Sequence, residues 1–303
     1  MPSENPGQQS INPRALLLRW AASGLRYWPL LKSLQTGLLL TTGLAGYMSA
    51  RCPVTHWSTL LGLAGSLFLA ISGSTVLNMW YDRDIDARMP RTARRPLPSQ
   101  LVSPREALVL GLLLSLIGVG WALLLSPLYG LVIFAGLFFD VTIYTIWLKR
   151  RTCWSIVWGG ISGGMPVLAG RVLGTGEIDW IGILLALAIL FWIPTHILTF
   201  SMRYYDDYKS AGIPTFPSTY GFAATRWTVA LSSILAAAAM AVAAYQIGMM
   251  WGYLRLMAVL SSGLLLLAAA SMLRPSERVN FGLFKYASLY MLSAMLLLAL
   301  AAL

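Results

Sequence analysis

Residues 57–98 read WSTLLGLAGSLFLAISGSTVLNMWYDRDIDARMPRTARRPLP. Positions 57–80 carry no charged side chain, and an apolar run of about 20 residues is what a helix needs to cross the hydrocarbon core of a bilayer. The run stops against Asp82, Asp84 and Asp86, three of the chain's 11 carboxylates, which are interleaved with and followed by Arg83, Arg88, Arg91, Arg94 and Arg95. Carboxylates this close repel one another unless a counter-ion sits among them. The unit is a membrane helix that delivers acidic and basic groups together to one surface.

The same pattern extends along the chain. Of 303 residues, 57% are hydrophobic and 11% charged, and the mean hydropathy is +0.69. Apolar runs occupy 30–50, 57–80, 105–126, 128–148, 154–174, 180–202, 226–248, 251–273 and 282–303. They predict an all-α polytopic membrane protein with nine transmembrane helices. A transmembrane β-barrel would alternate with period two instead. Residues 1–13 are polar and lack the apolar stretch of a signal peptide. They read as a disordered cytoplasmic tail, and 14–303 as a single transmembrane domain. Within it, 14–27 carries Arg14, Arg19 and Arg26 among leucines and aromatics and is expected at the interface. Cys52 and Cys153 fall near opposite membrane faces, so no disulfide is expected between them.

The net charge of +11 sits in short loops between apolar runs, so nucleic acid is not an expected partner. Of the 22 Lys and Arg residues, nineteen lie in the N-terminal segment and the loops after the second, fourth, sixth and eighth runs. By the positive-inside rule these are cytoplasmic and the C-terminus is on the other side. Two of these loops, about 81–104 and 203–225, are longer than a connection requires, and such loops usually carry function. They hold Asp82, Asp84, Asp86, Asp206 and Asp207.

On a helix, Asn78, Asp82 and Asp86 share one face, while Asp84 points elsewhere. One amide and two carboxylates suit Mg2+, which shares carboxylates with substrate phosphates and retains water. Arg91, Arg94 and Arg95 supply planar forks for phosphate, although a cytoplasmic loop attracts arginine in any case. In the second loop Asp206 and Asp207 are adjacent and cannot both serve one metal from a regular helix. One of them serves a second metal or orients Lys209. Lys149 and Arg150 end the fourth run at the same face, as snorkelling anchors or as diphosphate contacts. His196 lies about 10 Å inside Arg203 at 1.5 Å per residue. It is either a ring hydrogen-bonded to a neighbouring helix or a functional group at depth. Asp140 either pairs internally or lines a cavity. The run Gly159-Gly160-Ile-Ser162-Gly163-Gly164-Met-Pro166 is either a helix-packing seam or a place for a flat ligand.

Three motifs in order carry a resemblance. They are Asn78 with Tyr-Asp-Arg-Asp-Ile-Asp and Met89-x-Arg91-Thr-x-x-Arg95-Pro-Leu; Tyr144-Thr145-x-x-Leu148-Lys149-Arg150-x-Thr152; and Pro194-x-His196 with Asp206-Asp207-Tyr208-x-x-Ala211-Gly212-Ile213-Pro214. Across 78–217 the chain resembles the UbiA-type intramembrane prenyltransferase superfamily, and within it the heme O synthase branch. It departs from that branch at Thr215, where Met is usual, at Thr152-Cys153-Trp154, where Thr-Pro-Gln is usual, and at Ser99-Gln100 in place of Gly-Arg.

The resemblance implies nine helices around a central cavity with cytoplasmic cap loops. It implies Mg2+ at Asn78, Asp82 and Asp86, with a second ion at Asp207 and Asp206. Lys149 with Arg91 or Arg95 would hold the diphosphate, with Arg150, Tyr144 and Lys209 nearby. Asp82, Asp86, Asp207 and His196 are the expected catalytic group, with His196 beside the acceptor. The implied reaction joins farnesyl diphosphate to a vinyl group of heme b at the plasma membrane, with heme A synthase or an oxidase-assembly protein as downstream partner. The competing acceptors are a quinone precursor, a chlorophyll-type tetrapyrrole or a lipid. A transporter fits less well, because the carboxylates crowd one face.

Overall fold

The computed structural model describes residues 26–51 and 56–302. The expected tail at 1–13, most of the segment 14–27 and Cys52 lie outside them. The described chain is helical throughout: α1 (Ser33–Ser49), α2 (Trp57–Tyr81), short α3 (Arg83–Arg88), α4 (Pro104–Leu125), α5 (Pro127–Phe138), α6 (Ser155–Thr175), α7 (Trp180–Arg203), short α8 (Tyr205–Ser210), α9 (Phe216–Gln246), α10 (Trp251–Leu273) and α11 (Glu277–Leu300). After α5 the chain continues without a break as a π-helix over Phe139–Leu148. Eight of these helices, with α5 and its π extension as one, are long and apolar enough to span a bilayer. α1, with 17 residues at the short end of the usual range, packs with them as a ninth apolar helix among the described residues.

Helix ends follow local chemistry. Ser103 and Glu106 form a reciprocal capping box before Pro104. Ser126 caps α5 ahead of Pro127, which cannot continue α4. Two helices begin earlier than the hydropathy predicts. Thr215 and Ser218 cap α9 at Phe216, ahead of the expected 226, and Ser276 caps α11 at Glu277, ahead of 282. Hydropathy marks the immersed part of a helix, whereas caps sit in polar sequence. The expected loop 203–225 is consequently mostly helical. It holds α8 and the first ten residues of α9, which kinks at Gly221 (φ 80°, ψ 169°), a conformation open essentially to glycine alone.

The bundle has two unlike ends. At the far end, opposite the long loops, Ala45, Val167, Leu185, Met240, Met295 and Leu298 form one dry core. There α1 and α6 touch backbone to backbone. A Cβ on Gly46 would fall on the Val167 carbonyl, and one on Gly170 on the Gly43 carbonyl. At the motif end α7 is flanked by α6, α9 and α11, yet Ile197 stays 37% exposed, and Ile193, His196 and Phe200 are only partly buried. The glycine run of α6 is a packing seam. A Cβ on Gly159 would lie 2.8 Å from the Tyr144 ring, one on Gly160 2.7 Å from Leu190, and one on Gly164 2.8 Å from the Ala186 carbonyl. These glycines lie against neighbouring helices and leave no room there for a flat ligand.

Candidate active site

The motif end is organised by a polar seam between α2 and the π-helix. Ser74 Oγ donates to Asp140 Oδ2, Asn78 Nδ2 to Thr145 Oγ1 at 2.7 Å, and Lys149 Nζ to Asp82 Oδ2. On α2 the partners stand four apart; on the other side they stand five and then four apart. The wide π turn keeps the two stripes in register, and such segments are frequent at functional sites. The seam also sets the Asn78 amide. The single Thr145 hydroxyl proton goes to the Asp140 carbonyl at 2.7 Å, so Thr145 can only accept from Asn78, which turns the amide Nδ2 toward it and leaves Oδ1 on the opposite side.

The helix breaks at Asp82 (φ −86°, ψ 5°), but backbone bonds Asp82 N to Asn78 O and Asp86 N to Asp82 O, 3.0 and 2.8 Å, carry the spacing across. Asp82 is only 2% exposed, and its Oδ1 has no hydrogen-bond partner, with Arg150 Nη2 standing off at 3.7 Å. A buried carboxylate oxygen left so is costly unless something else claims it. Asp86, also buried, accepts both of its bonds from Arg95 Nη1, at 2.9 and 2.8 Å. Asp84 faces outward and is held by Arg150 at 2.8 and 2.7 Å. That guanidinium keeps its pKa below the usual carboxylate value. Burial works against the charge on Lys149, yet the Tyr144 phenol and Asp82 beside it raise its pKa.

An apolar plug of Ile85, Met89, Ala211 and Ile213 clamps the two long loops together. It brings Asp207 Oδ2 to 3.9 Å from Arg91 Nε. Asp206 and Lys209 are not brought into this group. Both are exposed, Lys209 lies over the Tyr205 ring at 5.7 Å, and neither enters an ion pair among the described residues. Arg91 also rests on Phe200 and Tyr204, 5.0 and 5.1 Å from their ring centroids. From there an aromatic wall descends: Phe200 against Phe284 at 5.5 Å, Phe284 on His196 at 4.6 Å, and His196 on Trp192 at 4.9 Å. His196 Nδ1 is 3.2 Å from Ser288 Oγ. Lys32, which no motif flags, lies at the N-terminus of α1 within electrostatic reach of Arg95, Lys149, Asp140 and Asp86. Burial, then Arg95 and Lys149, lower its pKa to about 8.

The donor set fits a hard divalent cation. It offers the Asp82 Oδ1, the amide oxygen of Asn78 and the carboxylate of Asp86, all oxygens of the kind Mg2+ takes. Among the described residues no three His, Cys, Asp or Glu side chains gather closely enough to hold an ion, so water and substrate phosphate would complete the shell.

Comparison with known proteins accords with this geometry. Residues 39–292 match the model of the UbiA prenyltransferase family. The chain is 44% identical over 213 residues to the protoheme IX farnesyltransferase of Archaeoglobus fulgidus, covering 70% of this chain and 73% of that one. Among solved structures it is similar to a digeranylgeranylglyceryl phosphate synthase, with TM-score 0.78, 18% identity, and 93% and 99% of the two chains covered. It is also similar to a UbiA homolog from Archaeoglobus fulgidus bound to GPP and Mg2+, with TM-score 0.68, 16% identity, and 90% and 99% covered. Fold, motif end and relatives agree, and the chain is a multi-pass membrane protein that belongs to the UbiA prenyltransferase family.

Proposed function

We propose that this chain is a Mg2+-dependent farnesyltransferase that joins farnesyl diphosphate to a vinyl group of protoheme IX, giving heme O. The observation that carries the reading is that one end of the bundle holds both the buried Asp82 with its uncommitted oxygen and an aromatic wall that Arg91 caps. The relatives' name supports the acceptor, and the neighbour bound to GPP and Mg2+ supports the metal. The charge bias of the loops supports a plasma-membrane site opening to the cytoplasm, with the N-terminus on that side. The family match over 39–292 supports 14–303 as one catalytic unit.

Asn78, Asp82 and Asp86 would hold one Mg2+ and Asp207 a second, and the bound metal withdraws charge from the diphosphate leaving group. Lys149, Arg91 and Arg95 present N–H donors to the phosphate oxygens, and Arg150 stays with Asp84 as a brace. The allylic C–O bond breaks and its electron pair leaves with the diphosphate. Phe200, Phe284 and Trp192 keep water from the allylic carbon until the vinyl π electrons bond to it. Water then adds to the former vinyl carbon, and its proton passes to the diphosphate. His196, held at Nδ1 by Ser288, keeps Nε2 for the acceptor. The lipophilic product stays in the membrane, where heme A synthase or an oxidase-assembly protein would receive it.

The test is to incubate the purified chain in nanodiscs with farnesyl diphosphate, protoheme and Mg2+ and to weigh the heme. The expected product is heavier by a farnesyl and a hydroxyl group. Unchanged protoheme, together with transfer to a quinone precursor or lipid, would move the acceptor assignment.

A further inference from the structure

At the motif end of α7 and α11 a second set of cations stands apart from the candidate diphosphate group. The Arg203 guanidinium lies 4.2 Å from the Phe281 ring centroid, and Lys285 Nζ lies 4.6 Å from the same centroid. Between them they have one carboxylate. Arg203 Nη1 pairs with Glu277 at 2.6 Å, and Lys285, exposed, enters no ion pair among the described residues. Two cations gathered on one ring with a single counter-charge favour a further anion there.

Their place in the fold says which anion. Phe281 stacks on Phe284 at 5.8 Å and 10°, Phe284 on His196 at 4.6 Å and 24°, and His196 on Trp192 at 4.9 Å and 19°. Four nearly parallel rings therefore run from this cation pair down to membrane depth. Arg203 and Arg91 of the diphosphate side meet at the Tyr204 ring, 5.8 and 5.1 Å from its centroid. Two cationic seats thus stand one ring apart, and only the second lies at the head of the ring column.

We infer that Arg203 and Lys285 seat the carboxylates of the acceptor, a flat apolar macrocycle laid along this column with its acidic edge at the cation pair. The inference rests on the reading that the acceptor is protoheme, whose two propionates occupy one edge and whose vinyl groups lie on the opposite side. The guanidinium fork matches a carboxylate, and ring edges meet the face of a planar π system favourably. The seat would orient the acceptor, holding the propionate edge at the surface and directing the vinyl edge along the ring column toward membrane depth.

The test titrates the full-length protein in nanodiscs with protoheme and with its dimethyl ester, for the parent, Lys285→Gln, Arg203→Gln and the double variant. The parent is expected to bind the diacid about tenfold more tightly than the diester, the scale of one charge-assisted hydrogen bond. Each single variant should lose much of that preference and the double variant nearly all of it, with KM for farnesyl diphosphate unchanged. Lys285→Gln removes an unpaired, exposed cation, so it reports even where Arg203→Gln disturbs Glu277. A parent without the preference, or a double variant that keeps the parent's margin, overturns the seat while farnesyl transfer stands. A parent that binds neither form of protoheme overturns both.

Discussion

Each end of the bundle holds an ion pair with a mostly buried member, and the two differ in how fully they are satisfied. At the far end Arg171 gives Nε and Nη2 to Asp179, at 2.7 and 2.6 Å, and Nη1 to the Ser49 carbonyl and hydroxyl, at 2.8 and 3.0 Å. Asp179 also caps α7 by accepting from Gly182 N at 2.8 Å. Around that pair the backbones of α1 and α6 are in contact. At the motif end Asp82 is at least as buried as Arg171, yet it keeps an oxygen without a hydrogen bond, and Ile193, His196 and Phe200 of α7 at that end stay partly exposed. A closed pair fastens two helices and a loop. An incomplete pair leaves a buried carboxylate oxygen free, as the proposed ligand site requires.

That contrast can be broken from either side. Asp82→Asn keeps shape and removes charge, and it is expected to cut farnesyl transfer by about 10²–10³-fold, the scale of losing one electrostatic contact to a transition state. The melting temperature in detergent should fall less than for loss of the far-end pair, because Asn still accepts from Lys149. A large loss of stability with activity intact would make the motif-end pair merely structural. Arg171→Met should do the reverse. It strands Asp179 and is expected to cost about 3–5 kcal/mol, read by SDS or thermal titration, while the rate per folded molecule is kept.

Thr145→Val sharpens the contrast by leaving every charge in place. It removes the hydroxyl that orients Asn78, and the Mg2+ concentration for half-maximal rate should rise by about 10-fold, the usual scale for losing a group that holds a metal's ligand in place. The unchanged requirement would show that Asn78 needs no such support. The smallest effect is expected at Lys32. Its pKa is depressed to about 8 by burial and its cationic neighbours, so the free protein carries this charge below that pH and loses it as pH rises through it. The kcat/KM for farnesyl diphosphate should therefore fall between pH 7 and 9, since that quantity follows free-enzyme ionisation. The slope should flatten in Lys32→Met; the same slope in both proteins would assign it to another group.

Much of this was legible in the chain, for reasons particular residues show. The uncharged run at 57–80 and its eight counterparts predict the spans, because a bilayer demands length and apolarity and little else. Asn78, Asp82 and Asp86 were readable as one face, and Asp84 as facing elsewhere, because a fixed turn places residues four apart together. Lys32 was not readable, because it belongs to no motif and matters only through neighbours distant in sequence. Nor was the exposed setting of Asp206 and Lys209, since composition alone does not tell which face of a six-residue helix is turned inward.

By itself the sequence determined the class of fold, the end of the bundle at which the motifs gather and the residue types found there. Hydropathy, charge bias and local spacing act over one or two helical turns and survive in any packing. Only the tertiary structure decided the partners: that Asp82 meets Lys149 and Asp86 meets Arg95, that the glycines of α6 serve helix contact, and that four rings from α7 and α11 form one column. Above all it decided the π-helical stretch at Phe139–Leu148. Such a turn is stabilised by the groups that meet it across the seam, Ser74, Asn78 and Asp82, and those come together only once the helices have packed.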